Sequence, residues 1–71
     1  MRVAAEKLRH EVAIRGWDQR SFAHAAGISE GTVSRVFNGR HVRAVTALYI
    51  VQALRRQPVV PELAELVSPW M

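Results

Sequence analysis

Apolar residues recur along the chain at the three- and four-residue spacing that is typical of amphipathic helices. No segment alternates between apolar and polar residues with period two, so the pattern predicts an all-α fold. Gly16, Gly27, Gly39 and Pro58 separate the apolar runs and favour helix ends at those points. Five helices are therefore predicted in one compact domain that covers residues 1–71, over residues 2–15, 19–26, 30–37, 43–57 and 61–67.

The clearest local signals lie at the ends of the second and third helices. Asp18 and Ser29 each precede a helix and can accept a hydrogen bond from a free main-chain N–H of its first turn. Gly27 closes the second helix, and Asn38 with Gly39 closes the third, because these residue types tolerate a left-handed backbone.

The apolar stripes also predict a core. In the first three helices it comprises Ala4, Leu8, Val12, Phe22, Ala23, Ala26, Val33, Val36 and Phe37. Apolar residues cover more than half the circumference of the fourth helix, which predicts burial on more than one side. Leu63 and Leu66 of the fifth helix are expected to complete the core. The alternative is that this C-terminal segment forms a homodimer surface, with Trp70 as a further candidate partner contact.

Length and composition exclude several classes of protein. The chain has 71 residues, whereas Rossmann, TIM-barrel and α/β-hydrolase folds need roughly 100 to 250. It has no cysteine, which excludes a disulfide framework and a thiolate metal site. Its apolar runs are too short to span a membrane, so we expect a cytoplasmic protein without a membrane partner.

Nothing in the sequence indicates an enzyme. Residues 27–31 (GISEG) match the G-x-S-x-G pattern of a catalytic serine, but a helix precedes them and the required sheet is missing, so Ser29 is read as a helix cap. The three histidines lack metal-ligand spacing. We therefore expect no catalytic residue, no metal and no cofactor.

Charge is unevenly distributed along the chain. Ten basic and six acidic residues give a formal net charge of +4. Residues 1–57 hold all ten basic and four acidic residues, a balance of +6, whereas residues 58–71 hold only Glu62 and Glu65, a balance of −2. A basic body favours a polyanionic partner such as double-stranded DNA, and the acidic end is not expected to contact it.

Residues 18–38 form a candidate helix-turn-helix. Two short helices are joined by the tight turn 26–29 (AGIS), and the small Ala23 lies where the third helix must pack closely. In such a pair the second helix enters the major groove, which is about 12 Å wide, and presents its polar face to the bases.

Two stretches of the chain resemble the lambda-repressor/Cro family of phage and bacterial regulators. They are residues 16–23 (GWDQRSFA) and 26–40 (AGISEGTVSRVFNGR), and residues 46–54 (TALYIVQAL) are similar to the family's fourth helix. The resemblance covers about residues 4–56. It implies a five-helix, lambda-repressor-like DNA-binding domain and a sequence-specific transcriptional regulator, such as a phage repressor or Cro protein, that acts by occupying an operator.

The resemblance also implies roles for individual residues, and the basic loop after the third helix adds candidate phosphate contacts. The candidate base-reading residues are Glu30, Gly31, Ser34 and Arg35. The candidate backbone-positioning residues are Gln19, Ser29, Thr32, Asn38, Arg40, His41 and Arg43. Arg35 is the best candidate for bidentate contact with guanine, which is worth about 1–3 kcal/mol of discrimination. Glu30 either accepts from cytosine or helps to cap its helix, and Gly31 either permits close approach or exposes a thymine methyl group to its neighbours.

Two other functions remain open at this point. One is an antitoxin-like interaction module whose DNA binding serves autoregulation, and the other is a phage recombination or replication accessory protein. A compact chain of this length has a radius of gyration of about 11 Å, so one copy fills one half-site but cannot reach a second one ~34 Å away.

Overall fold

The structure is a computed structural model that describes residues 1–67, so the suggestion made for Trp70 lies outside the described residues. It contains five helices: α1 (Ala5–Ala13), α2 (Gln19–Ala26), α3 (Glu30–Phe37), α4 (Ala44–Arg56) and α5 (Pro61–Leu66). Residues 1–67 contain no strand, which confirms the predicted all-α class. The Cα radius of gyration is 11.3 Å, in agreement with the value expected for a compact chain of this length. Among these residues no helix is long and apolar enough to cross a membrane.

The core lies where α2 packs against α3 and α4, and where α1 packs against α3. Phe22 and Val33 are completely buried at its centre. The ring of Phe22 lies 5.4 Å from that of Trp17 and 6.3 Å from that of Phe37. The predicted core residues that are buried are Leu8, Val12, Phe22, Ala23, Ala26, Val33 and Val36. Phe37 is half-buried against this cluster.

The start of α1 differs from the prediction. The helix begins at Ala5 rather than at residue 2, and Ala4 is exposed instead of buried. The carbonyl of Met1 accepts a hydrogen bond of 2.8 Å from the amide of Val42. The first residues are therefore held by the loop before α4 and cannot join the helix.

The caps of α2 and α3 form as predicted. Asp18 Oδ1 accepts from the amide of Ser21 at 2.7 Å, and Ser29 Oγ accepts from the amide of Thr32 at 3.0 Å. Gly27 adopts φ +72°, a left-handed conformation that ends α2 and turns the chain into α3.

The prediction that α4 is buried on more than one side is wrong. Within α4 only Ile50 and Ala53 are buried, whereas Val45, Leu48 and Val51 are between 42% and 52% exposed. The helix packs on α2 through one face, and α5 does not cover the other. Instead the amide of Val60 donates to the carbonyl of Ile14 at 2.9 Å, which fixes the start of α5 at the end of α1.

The prediction for α5 is confirmed in its position but only in part for its packing. Leu63 is half-buried and lies over Gly16, where a Cβ atom would sit 3.5 Å from its Cδ1 atom. Leu66 is 82% exposed, so its expected place in the core is wrong. The helix α5 has only six residues and is held to the end of α1 through the residue that precedes its first turn. Its last residue, Leu66, therefore extends into solvent instead of packing on the core.

Candidate nucleic-acid interface

The outer face of α3 carries the four candidate base-reading residues. Because Val33 and Val36 point into the core, the positions on the opposite side of this helix face solvent. The candidates are exposed except for Ser34, which is half-buried; they are Glu30, Gly31, Ser34 and Arg35.

The N-terminus of α3 is fixed by two hydroxyl groups. Ser29 Oγ accepts from the amide of Thr32 and lies 2.9 Å from Thr32 Oγ1. Both candidate backbone-positioning hydroxyls therefore engage each other in the cap. The main-chain N–H groups of Glu30 and Gly31 have no partner within the helix, so the positive end of the helix dipole points outward here.

A second set of contacts joins the start of α2 to the start of α3. Gln19 Nε2 donates to the main-chain carbonyl of Glu30 at 3.4 Å, and Arg20 Nε lies 3.7 Å from Glu30 Oε2. Both charged side chains of this ion pair are largely exposed. The carboxylate of Glu30 thus has a partner within the protein that the sequence did not reveal, and its side chain is held beside α2 rather than folded back over the cap.

The C-terminus of α3 is held in a fixed turn. Gly39 adopts φ +74°, whereas Asn38 keeps an ordinary φ of −95°, so of the two predicted stop residues only the glycine takes the left-handed conformation. The amide of Arg40 donates to the carbonyl of Arg35 at 3.0 Å, and Asn38 Nδ2 donates to the carbonyl of Ser34 at 2.9 Å. The loop that follows therefore leaves α3 in a defined direction.

An arginine of α1 supports the same turn. Arg9 Nη2 donates to the carbonyl of Phe37, and its guanidinium carbon lies 6.0 Å from the centre of the Phe37 ring. A cation at a helix C-terminus satisfies a free carbonyl and opposes the helix dipole. The end of α3 is thus fixed to α1 by a charged side chain.

A groove of about 600 Å³ brings α3 together with the loop that follows it and the first turn of α4. Its lining residues are Thr32, Arg35, His41, Val42, Arg43 and Thr46. Four of them are candidate interface residues from distant positions in the sequence, and they now share one concave surface. Arg40 is exposed in the same loop but does not line the groove. Thr46 is a lining residue that the sequence pattern did not single out.

Arg2 is a further residue at this surface. Its Nε atom donates to His41 Nε2 at 3.1 Å, next to the main-chain hydrogen bond between Met1 and Val42. Sequence spacing gives no signal for this contact, because 39 residues separate its partners.

Seven of the nine arginines fall into two groups by their contacts, and Arg20, which pairs with Glu30, and Arg55 belong to neither. Arg9, Arg15 and Arg56 donate to main-chain carbonyls, and Arg15 also pairs with Glu11 at 2.8 Å. Within residues 1–67, no carboxylate lies within 4.0 Å of the exposed arginines around the groove, which are Arg2, Arg35, Arg40 and Arg43. Cationic side chains are thus concentrated at one surface without neutralising partners in the described part of the chain.

No known protein family, curated protein or solved structure matches the chain. We therefore infer the function of the chain from the residues and geometry of this surface.

Proposed function

We propose that the chain is a sequence-specific double-stranded DNA-binding regulator of transcription, in which α2 and α3 act as a helix-turn-helix. The observation that carries the proposal is the continuity between the polar outer face of α3 and the groove lined by Arg35, His41 and Arg43. A helix of this width fits the major groove of B-DNA, which is about 12 Å wide. The adjoining cations suit the phosphates that border the groove.

In this proposal α3 reads the bases. Arg35 is exposed, and no carboxylate of residues 1–67 lies within 4.0 Å of it, so its planar guanidinium can donate two hydrogen bonds to guanine. Gly31 allows the backbone of α3 to approach the base edges closely. Glu30 accepts from cytosine only if it leaves Arg20, and that exchange makes its contribution smaller than that of Arg35.

The surrounding residues position the duplex through its phosphates. Arg40, His41 and Arg43 contact the backbone on the loop side of α3, and Gln19 and Asn38 contact it at the two ends of the helix pair. Arg2 joins this set through its contact with His41. Such contacts carry no sequence information, but each neutralised phosphate releases counterions and steepens the dependence of affinity on salt.

The regulatory mode that follows from these contacts is occupancy of an operator, as in phage repressors and Cro proteins. Occupied DNA excludes polymerase without any catalytic step. This role requires the chain to reach chromosomal or phage DNA in the bacterial cytoplasm.

Selection from random duplexes tests the proposal. The protein is mixed with a library of random double-stranded DNA, the bound fraction is amplified over several rounds, and the affinity for the winner is measured against a scrambled duplex at several salt concentrations. We expect one enriched motif that binds at least ~10³-fold more tightly than the scrambled duplex. An unenriched library would contradict sequence-specific regulation. Salt-dependent binding without enrichment would instead favour an architectural accessory protein. No DNA binding at all would contradict each of these DNA-binding functions and leave only a role in protein interaction.

A further inference from the structure

The groove between α3, the loop that follows it and α4 is lined by two kinds of side chain. Arg35, His41 and Arg43 carry nitrogen atoms that suit phosphates and guanine, and the proposed function already uses them. The other three lining residues are β-branched, and each carries at least one methyl group: they are Thr32, Val42 and Thr46. A methyl group makes no hydrogen bond to a phosphate, so contact with the DNA backbone does not account for this half of the lining.

Thr32 is the one of these three residues that lies on α3. It is half-buried and precedes Arg35 by three positions, which places both side chains on the same side of the helix. Val42 and Thr46 belong instead to the loop and to the first turn of α4, whose cations are proposed to meet the DNA backbone. Thr32 is therefore the methyl-bearing residue that faces the bases when α3 occupies the major groove.

The hydroxyl group of Thr32 is held by the cap of α3. Its Oγ1 atom lies 2.9 Å from Ser29 Oγ, and the same Ser29 oxygen accepts from the amide of Thr32 at 3.0 Å. These two contacts direct the hydroxyl group toward Ser29. The Cγ2 methyl group is the remaining substituent of the Cβ atom and takes no part in the cap. This arrangement favours an apolar contact by Thr32 over the phosphate contact expected from the sequence.

We propose that Thr32 determines sequence specificity by selecting thymine, through contact between its Cγ2 methyl group and the C5 methyl group of the base. The inference rests on the proposed function and deepens it, because it names one base that α3 reads. Thymine presents a methyl group in the major groove, and the methyl group of threonine complements it.

The position of this thymine follows from the geometry of the helix. Three residues of an α-helix rise ~4.5 Å, which is close to the ~3.4 Å between successive base pairs. When Arg35 contacts a guanine, Thr32 lies over the neighbouring base pair. The operator should therefore carry a thymine, on either strand, in the base pair next to the guanine that Arg35 reads. Gly31 has no side chain and leaves room for the methyl group of that thymine.

Replacement of thymine by deoxyuridine tests the inference, because this change removes the C5 methyl group and keeps every hydrogen-bonding group of the base. The duplex selected from the random library is prepared with its thymines replaced one at a time, and each form is titrated by fluorescence anisotropy. We expect the affinity to fall about fourfold when the thymine next to the guanine is replaced, as the burial of one methyl group predicts. The guanine in question is the one whose replacement by 7-deazaguanine, which lacks the N7 acceptor, weakens binding by the unmodified protein but not by Arg35→Ala.

Two variants of Thr32 separate its methyl group from its hydroxyl group. Thr32→Ser removes the methyl group and should bind the thymine and deoxyuridine forms with equal affinity. Thr32→Val removes the hydroxyl group, keeps the methyl group and should keep the fourfold preference. Both variants retain the main-chain amide that donates to Ser29 Oγ. Thr46→Ser is the matched control, because it removes the methyl group of the other threonine in the groove and should leave the preference unchanged.

The outcomes separate this inference from the proposed function. Equal affinity of the unmodified protein for the two forms, a motif without thymine next to the guanine, or a preference that survives Thr32→Ser would overturn the inference and leave the proposed regulator standing. A preference lost in Thr32→Val as well as in Thr32→Ser would assign it to the hydroxyl group and would also overturn the inference. An unenriched library would overturn the proposed function and the inference with it. A preference lost in Thr32→Ser but kept in Thr32→Val and Thr46→Ser supports the inference.

Discussion

Arg2 donates a hydrogen bond to His41 across 3.1 Å and so joins the start of the chain to the loop between α3 and α4. The neighbouring main-chain bond between Met1 and Val42 holds the two segments side by side. This loop also carries Arg40 and Arg43. The pairing therefore adds a cation to the surface proposed to meet the DNA backbone.

Removal of the Arg2 side chain should weaken DNA binding without changing its specificity. We expect Arg2→Ala to lower the affinity for the selected duplex and for a scrambled duplex by similar factors, because a phosphate contact carries no sequence information. The slope of log affinity against log salt concentration should become shallower by about 1. Fluorescence anisotropy over a salt series measures both quantities.

Arg55→Ala is the control for this variant. It removes the same charge from an exposed residue at the opposite end of α4 from Arg43. Arg55→Ala should not change the slope of log affinity against log salt concentration. If Arg2→Ala and Arg55→Ala behaved alike, Arg2 would have no place in the interface.

Substitution by alanine should have opposite effects on stability at Gly27, which ends α2, and at Gly31, which lies in the first turn of α3. Gly31 has an ordinary helical φ, and a Cβ atom there would meet Ser29 Oγ at 3.8 Å, a normal contact. Gly31→Ala should therefore raise the free energy of unfolding, by up to about 1 kcal/mol, since it reduces the freedom of the unfolded chain. Gly27 has φ +72°, so Gly27→Ala should destabilise the fold by about 1–2 kcal/mol. Urea denaturation measures both changes.

The DNA affinity of Gly31→Ala tests whether α3 approaches the bases closely at this position. If α3 approaches the bases closely at Gly31, the added methyl group weakens binding to the selected duplex even though the protein is more stable. A variant that is more stable and binds with full affinity would show that close approach at this position is not needed.

Asp18 should make the stability of α2 sensitive to acid. The main-chain N–H of Ser21 and then its side-chain hydroxyl donate to the carboxylate and, with the charge of Arg20, hold the pKa of Asp18 below its ordinary value of 3.8. A pKa lower in the folded than in the unfolded state means that the ionised form stabilises the fold. This contribution is present above the ordinary pKa and is lost as the pH falls through the lowered value.

Asp18→Asn provides the comparison, because asparagine also caps helices but does not titrate in this range. The difference in unfolding free energy between the unmodified protein and this variant should shrink as the pH is lowered from about 6 to about 3. Urea denaturation at several pH values measures it. A difference that stays constant over this range would contradict the role given to the ionised carboxylate.

Much of the fold was predictable because its signals are local. The bounds of α2 and α3 follow from Asp18, Ser29 and Gly27, each of which acts within one turn of its own helix. The polar arc of α3 follows in the same way from the burial of Val33 and Val36. These caps and buried valines place the two helices that carry most of the candidate interface residues.

The features that were predicted wrongly or missed depend on contacts distant in sequence. The apolar circumference of α4 could not reveal that α5 packs beside Ile14 rather than over Leu48. Arg2 meets His41 only because the backbone at Met1 pairs with Val42. The periodicity of apolar residues shows which helix faces are apolar, but it does not show which other element packs against each face.

The affinity of Arg35→Ala for two duplexes tests base reading by α3 most directly. The selected duplex and a scrambled duplex are titrated with the unmodified protein, with Arg35→Ala and with Arg43→Ala at one salt concentration. We expect Arg35→Ala to lower the affinity for the selected duplex about 5- to 150-fold more than for the scrambled one, as the loss of ~1–3 kcal/mol of discrimination requires. Arg43→Ala should lower both affinities by similar factors. Equal losses on the two duplexes for Arg35→Ala would contradict the assignment of base reading to this face.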